Sequence, residues 1–356
     1  MLSVSSLPAS YGDCLWIEYG SEAEPNVILI DAGPAVPAAL KKRLADLADR
    51  KGVLELVVVT HVDADHIGGM LTLLQEKFYG VPVRDFWFNG FRHLPGPEAF
   101  GEKQGETLTG LLLNNGVAWN VDRKNSGLMV DDGKEKVINL PGGAKIVLLS
   151  PDSSQLARLK LEWVKVCGEA ELYGQIEEQK FYFGKDGREG FGGVVTLNVG
   201  KLAREEFEED TAVANGSSIA FVLEYEGARV LFGADAFPSR LLSSLKDHYG
   251  SAPYRFDLVK VPHHGSENNV SMDFVKALDC PRYLFSSNGA RYKHPSKQAV
   301  ARVIEYGKGP DLIFNYRTEF NTIWDDALLK FVNKFSTTFG DESGATIKID
   351  KPASRV

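Results

Sequence analysis

Val53-Leu-Glu-Leu-Val-Val-Val-Thr60-His61-Val62-Asp63-Ala64-Asp65-His66-Ile67-Gly68-Gly69 is the stretch on which the fold turns. Its first half is apolar and β-branched with little alternation, the pattern of a strand buried on both faces. Chemistry then changes within one residue. Four potential metal ligands, His61, Asp63, Asp65 and His66, follow on a tight loop at the strand's C-terminal end, and a helix is expected over 66–77. Two imidazoles and two carboxylates this close mix nitrogen and oxygen donors, which suits two adjacent divalent cations better than one structural zinc. Gly68 and Gly69 read as the residues that let the backbone turn closely past the ions.

Working outward, Val27–Asp31 (VILID) is a short apolar run ending in Asp, and 37–49 carries Leu40, Leu44 and Leu47 at helical spacing. Strand, helix and strand thus appear in quick succession. Further strands are expected at 86–88, 145–149, 219–224, 229–232, 258–261 and 283–286, and helices at 239–248, 271–278 and 295–306, the last with Pro295 in its first turn. The short Tyr225-Glu-Gly-Ala turn makes 219–224 and 229–232 an antiparallel hairpin. Ala345–Ile349 reads as an edge strand. The stretch 152–210 breaks the rhythm: 13 acidic and 8 basic residues, with glycine spacers from Gly184 to Gly193, mark a charged, partly helical insertion and a candidate lid.

Composition is that of an ordinary globular protein: 356 residues, 44% hydrophobic and 25% charged. The formal net charge of −8 excludes a broad basic surface that wraps nucleic acid by neutralising phosphates. Most of that negative charge lies in the insertion, so the exclusion does not reach the edge carrying the motifs. Cys14, Cys167 and Cys280 are odd in number and far apart, which supports neither a disulfide framework nor a zinc knuckle and fits a reducing compartment. With no leader and no apolar run long enough to span a bilayer, a cytoplasmic protein without a membrane partner is expected. Of the seven histidines, His61, His66, His263, His264 and His294 fall in three short segments. His93 and His248 lie in polar loop or helix-end contexts and read as unrelated to a site.

The segment His61-x-Asp63-x-Asp65-His66-x-Gly-Gly resembles the His-x-His-x-Asp-His motif of the metallo-β-lactamase superfamily, with Asp63 in place of the second His. Asn215-Gly-Ser-Ser218 and, two strands later, Phe232-Gly-Ala-Asp235 resemble the part that delivers a bridging Asp. Leu258-Val-Lys-Val-Pro-His263-His264-Gly-Ser266 resembles the part carrying the final His ligand. Together with Asn288-Gly-Ala-Arg-Tyr292-Lys293-His294-Pro295, Tyr11-Gly-Asp13-Cys-Leu-Trp-Ile and Ile30-Asp31-Ala-Gly33, the set is similar to the hydrolase domain of ComEC-type DNA-uptake proteins and their soluble relatives.

The resemblance implies an α/β (α+β) fold, a four-layer αββα sandwich with two mixed β-sheets and helices outside. It implies a hydrolase domain over 1–310, interrupted by 152–210, with 311–356 as an extension packed on the same domain. Carried over residue by residue, one metal site would use His61 and Asp63, the other Asp65, His66 and His264, with Asp235 bridging. The superfamily's third His, upstream of the Asp235 strand, has no counterpart, since Ala214 and Asn215 stand there. The first site therefore reads as oxygen-rich, favouring Mn2+ or weakly held Zn2+. Asp31 reads as a support of the metal loop, Lys260 as a strand residue and Tyr292 as core.

Two divalent cations would lower the pKa of water toward neutrality and polarise the oxygen under attack. Asp65, His263 and His294 are the catalytic candidates, with His263 either catalytic or fixing the tautomer of its neighbour. Asn215, Ser218, Ser266 and Lys293 are the substrate-binding candidates. The expected activity is a metal-dependent phosphodiesterase or nuclease, acting on a phosphate ester with nucleic acid and nucleotides among the candidates. Hydrolysis of a carboxylic ester, lactone, thioester or β-lactam is the alternative within the same fold, and a non-catalytic partner-binding module is the alternative outside it.

Overall fold

Alternation along the strands divides the apolar side chains among three layers of core. Trp16 faces outward from the strand whose Leu15, Ile17 and Tyr19 face inward, and Ala220 and Val222 face away from Phe221, Leu223 and Tyr225. The computed structural model describes residues 1–95, 103–121, 126–131, 137–173 and 197–350. In chain order the first strands are β1 (Leu2–Ser6), β2 (Leu15–Gly20), β3 (Pro25–Ile30), β4 (Leu54–Val58) and β5 (Phe86–Trp87). There follow β6 (Val137–Asn139), β7 (Lys145–Ser150), β8 (Ala220–Tyr225), β9 (Ala228–Phe232), β10 (Tyr254–Arg255) and β11 (Leu258–Lys260). The last are β12 (Leu278–Asp279), β13 (Arg282–Phe285), β14 (Asp311–Phe314), β15 (Ser336–Phe339) and β16 (Ala345–Ile349).

One sheet has the order β16-β1-β2-β3-β4-β5 and the other β15-β14-β13-β11-β9-β8-β7-β6, while β10 and β12 pair separately. Both large sheets are mixed. The first is antiparallel as far as β3 and parallel from β3 through β5. In the second, β15 through β9 run parallel and β9 through β6 antiparallel. The β8–β9 hairpin forms with the register Tyr225↔Ala228.

Residues of both sheets, among them Ile17, Ile30, Val58, Phe221, Phe232 and Leu284, meet in the central core. The outer face of the first sheet is covered by helices Ala38–Asp49, Ala64–Gln75, Lys103–Asn114 and the start of Ser153–Tyr173. Helices Pro238–Tyr249, Met272–Lys276 and Lys297–Tyr306 cover the second. The architecture is the expected αββα sandwich with two mixed sheets. β14 and β15 extend the second sheet and β16 closes the edge of the first, so both sheets draw on the C-terminal segment.

Three local expectations are corrected. The helix after the metal loop starts at Ala64, before the expected 66, which puts Asp65 and His66 in its first turn. Gly68 and Gly69 therefore lie inside that helix: a Cβ on either would strike the backbone of Pro34 or Ala32, so they permit close packing of the helix on the 32–34 loop instead of a turn past ions. Pro295 precedes the N-cap Ser296 of the helix Lys297–Tyr306 and is not in its first turn. In the charged segment, Ser153–Tyr173 is helical, with Leu156, Leu159 and Trp163 buried, and Val199–Ala203 forms a short helix. Gly184 to Gly193 lie outside the described residues. No helix among the described residues is long and apolar enough to cross a membrane.

Cys14 and Cys280 are free and buried. Burial pushes the Cys280 thiol up to about 12 and that of Cys14 well above its ordinary value, helped by Asp31 and Asp13. In a Cys167→Ser background, neither thiol is expected to react with a disulfide reagent at pH 8 until the protein is unfolded. Counting titrated thiols before and after denaturant checks this.

Candidate metal centre

The candidate ligands converge because parallel strands end on the same edge. Thr60 and His61 follow β4, and Asp65 and His66 sit one helical turn later. Asp235 follows β9, and His263 and His264 follow β11, its neighbour in the sheet. His263 and His264 both have left-handed backbones, with φ of 46° and 53°. Such conformations cost about 1–3 kcal/mol each for residues other than glycine and persist only where the surroundings impose them. Here the His263 amide donates to the Ala234 carbonyl at 2.8 Å and its own carbonyl accepts from Ser266 at 2.8 Å. The result is two adjacent imidazoles aimed at different partners.

Each of four imidazoles is anchored through Nδ1. That of His66 bonds Asp31 Oδ2 at 2.7 Å, and that of His264 bonds the Ser286 carbonyl at 2.7 Å. His263 Nδ1 bonds Asn269 Oδ1 at 2.9 Å. His61 Nδ1 lies 3.0 Å from Thr60 Oγ1, whose own proton goes to Asp31 Oδ2 at 2.7 Å. Carboxylate, carbonyl and amide oxygens only accept, so Nδ1 carries a proton in each ring and Nε2 is the nitrogen left to face a cation. This is the arrangement that metal-binding histidines use, with an oxygen on the far nitrogen fixing tautomer and orientation.

The four Nε2 atoms point into one space lined by carboxylates. Asp235 Oδ2 lies 3.8 Å from His61 Nε2, 3.5 Å from His66 Nε2 and 3.6 Å from His263 Nε2. Asp65 Oδ2 lies 3.9 Å from His66 Nε2 and 3.7 Å from His264 Nε2, and Asp63 Oδ2 is 3.5 Å from His61 Nε2. These separations exceed good hydrogen bonds, yet approach the roughly 3.3 Å between donors that share one tetrahedral zinc. Buried Nε2 of His61, His66 and His264, and Oδ1 of Asp235, have no hydrogen-bond partner. Orphaned buried polar atoms are expensive. Four converging on one space fit a divalent cation, and the sets His61/His66/Asp235 and Asp65/His66/His264 each have ligand atoms close enough to hold one.

Residues 8–154 match the Metallo-beta-lactamase superfamily model. The match takes in the His61–His66 loop and ends before Asp235, His263 and His264. No curated protein matches the chain. Among solved structures, a CmlA beta-hydroxylase variant is 14% identical with a TM-score of 0.42, over 98% of this chain and 54% of that one. The chain thus spans about half the length of that structure. The metallo-beta-lactamase fold protein YhfI from Bacillus subtilis is 10% identical (TM-score 0.37, 97% of this chain and 98% of that one). A diphosphatase of the PhnP family is 11% identical (TM-score 0.40, 98% of each chain).

Electrostatics around these side chains agree with a cation site. Burial disfavours the His66 imidazolium, but Asp235, Asp31 and Asp65 outweigh it and lift its pKa well above the ordinary value. His264 is likewise raised, to about 9, against burial and by Asp13 and Asp235. Asp65 is held at about 2 despite burial by His66 and His264, and Asp235 lies well below the carboxylate range through His263, His66 and His264. Carboxylates that stay ionised in a dry space create a field that favours bound positive charge.

Behind the candidate ligands lies a shell only partly legible in the sequence. Asp31 holds both His66 and Thr60, as expected of a support. Lys260 is in β11 and completely buried, with Nζ 2.8 Å from Asp13 Oδ2. Asp13 also accepts from Ser286 Oγ, the serine whose carbonyl holds His264. Lys260, Ser286, Asn269 and Asp210 were not among the candidates. The available signals were a charged residue inside an apolar strand and polar residues just after a strand end.

The other candidates separate by exposure. Asn215 is buried and donates to Asp210 at 2.7 Å, Ser266 is buried and accepts from the Asn268 amide at 3.2 Å, and the buried Ser218 hydroxyl has no partner. Lys293 is exposed. His294 lies with its ring 5.4 Å from that of His263 and 6.4 Å from that of His264, and burial together with their charges keeps its pKa well below the ordinary value. Tyr292 is 37% exposed and not core. Arg291 stacks over both Tyr292 and Tyr11, each at 5.2 Å, and bonds the Tyr11 hydroxyl at 3.2 Å. Gly12 places Tyr11 here, since a Cβ at residue 12 would collide with the Asp65 carbonyl. His93 is buried, edge-on to Trp119 at 4.3 Å, and not in an exposed polar loop.

Proposed function

We propose that this protein is a metal-dependent hydrolase of phosphate esters, a phosphodiesterase or nuclease, whose metal ligands include His61, Asp63, Asp65, His66, Asp235 and His264. The observation that carries the reading is the convergence of orphaned imidazole nitrogens and ionised carboxylates on one space, linked through His294 to the Tyr11, Arg291 and Tyr292 cluster. Bound Zn2+ or Mn2+ would supply Lewis acidity and water activated at neutral pH. The chain's own residues do the rest. Arg291 and exposed Lys293 bring positive charge to the rim, where a guanidinium matches phosphate oxygens in pairs. Tyr11 and Tyr292, packed edge-to-face with ring centroids 6.0 Å apart, both contact that guanidinium, and His294, uncharged and next to Tyr292, is placed to hydrogen-bond an ester oxygen. The resemblance of Asn288–Pro295 to ComEC-type hydrolase domains favours the same substrate class.

Purified protein supplied with Mn2+ or Zn2+ is expected to hydrolyse bis-p-nitrophenyl phosphate or short DNA and to leave a chromogenic lactam intact. Arg291→Ala should raise KM for the phosphodiester about tenfold or more while changing kcat less, because it removes a charged contact, worth about 1.5–3 kcal/mol, outside the reacting atoms. Turnover of the lactam alone would sink the phosphate-ester reading.

A further inference from the structure

We infer that His263 is a metal ligand and replaces the histidine missing upstream of Asp235, so that the two metal positions are built alike. This rests on the binuclear reading of the centre. Three observations carry it. His263 Nε2 lies 3.6 Å from Asp235 Oδ2, as close as the Nε2 atoms of His61 (3.8 Å) and His66 (3.5 Å) to the same oxygen. Its Nδ1 is held by Asn269 Oδ1 at 2.9 Å, matching the anchoring of His61, His66 and His264. Asn269 is itself oriented, because its amide nitrogen donates to Asp210 Oδ2 at 3.1 Å and to the Asp235 carbonyl at 3.2 Å. The amide oxygen is therefore the atom facing His263, and the His263 lone pair faces Asp235.

The inference pairs the ligands through the shared Asp235, the carboxylate that His61, His66 and His263 all approach. His61, His263 and Asp63 would serve one ion, His66, His264 and Asp65 the other, and Asp235 both. Each position has two imidazoles, one carboxylate of its own and a shared one. The first position is then no poorer in nitrogen than the second, which removes the reason to expect weaker zinc there. The left-handed backbone at both His263 and His264 has a role in this arrangement, turning consecutive side chains toward different ions.

Cobalt(II) titration of the metal-stripped full-length protein, followed by calorimetry and visible absorption, tests the assignment. The wild type should bind two ions per chain. His263→Ala should bind one tightly, with the other weakened at least 100-fold. Asn269→Ala, which leaves the imidazole but loosens it, should keep two ions with one weakened about 10- to 100-fold, the range for loss of a partner behind a ligand. His263→Gln carries the test if the alanine variant fails to fold, as judged by circular dichroism. A His263 variant that is folded and binds two ions with wild-type affinity overturns the inference while leaving the binuclear reading intact. A wild type that binds a single ion overturns both.

Discussion

Asp235→Ala is expected to weaken metal binding at both positions and to lower kcat/KM by more than about 100-fold, beyond what loss of a residue behind a ligand produces. The reason is its place at the hub. One carboxylate oxygen of Asp235 lies 3.5 to 3.8 Å from the Nε2 atoms of three different imidazoles, and the other oxygen is buried without a partner. No other carboxylate in the centre reaches as many. Asp63, with its side chain 44% exposed and near His61 alone, provides the contrast, and Asp63→Ala should affect one ion and leave the other. Calorimetric stoichiometry and phosphodiester hydrolysis, measured on both variants, separate a shared ligand from a private one. An Asp235→Ala protein that still binds two ions tightly would remove Asp235 from the centre.

The parts of the centre legible in the sequence are those whose geometry is local. His61, Asp65 and His66 lie on one strand end and one helical turn, so spacing alone brings them together. Asp235 and His264 are legible because each sits where an apolar strand stops, and adjacent parallel strands carry both ends to the same edge. The ligand role inferred for His263 is not legible. Whether an imidazole ligates or supports depends on which ring nitrogen is anchored, and that is fixed by Asn269, on a loop whose direction follows from tertiary packing. The Pro295 and Gly68–Gly69 expectations differ from the structure for a related reason: residues with strong local preferences suggest local tasks, whereas the glycines serve the packing of a helix against the 32–34 loop. Tyr292 is exposed and not core: apolar character says nothing about which edge a loop borders.

Lys260→Met is expected to destabilise the protein by about 3–5 kcal/mol at neutral pH, the usual effect of removing one partner of a buried ion pair. Lys260 has no exposed surface and, among the described residues, two partners, Asp13 Oδ2 at 2.8 Å and the Val261 carbonyl at 3.1 Å. Burial raises the pKa of Asp13, but Lys260, followed by His264, outweighs it and holds that carboxyl well below the usual range. A carboxyl with a depressed folded-state pKa contributes stability at pH above about 3.9, its unfolded value, and loses it as pH falls through the folded value. Without Lys260, burial gains weight and the folded-state pKa of Asp13 rises. The variant's deficit should then be greatest near neutrality and narrow as the medium is acidified. Lys260→Met combined with Asp13→Asn removes both charges and should recover part of the loss, since a buried pair replaced by neutral groups of similar size is often close to neutral in stability. Urea unfolding midpoints of the wild type, the single and the double variant between pH 5 and 8 measure all three effects. A Lys260→Met protein within about 1 kcal/mol of wild type would mean that the Asp13 charge is balanced mainly by the histidines of the metal centre, which makes Asp13 part of that centre's charge and not of a separate structural pair.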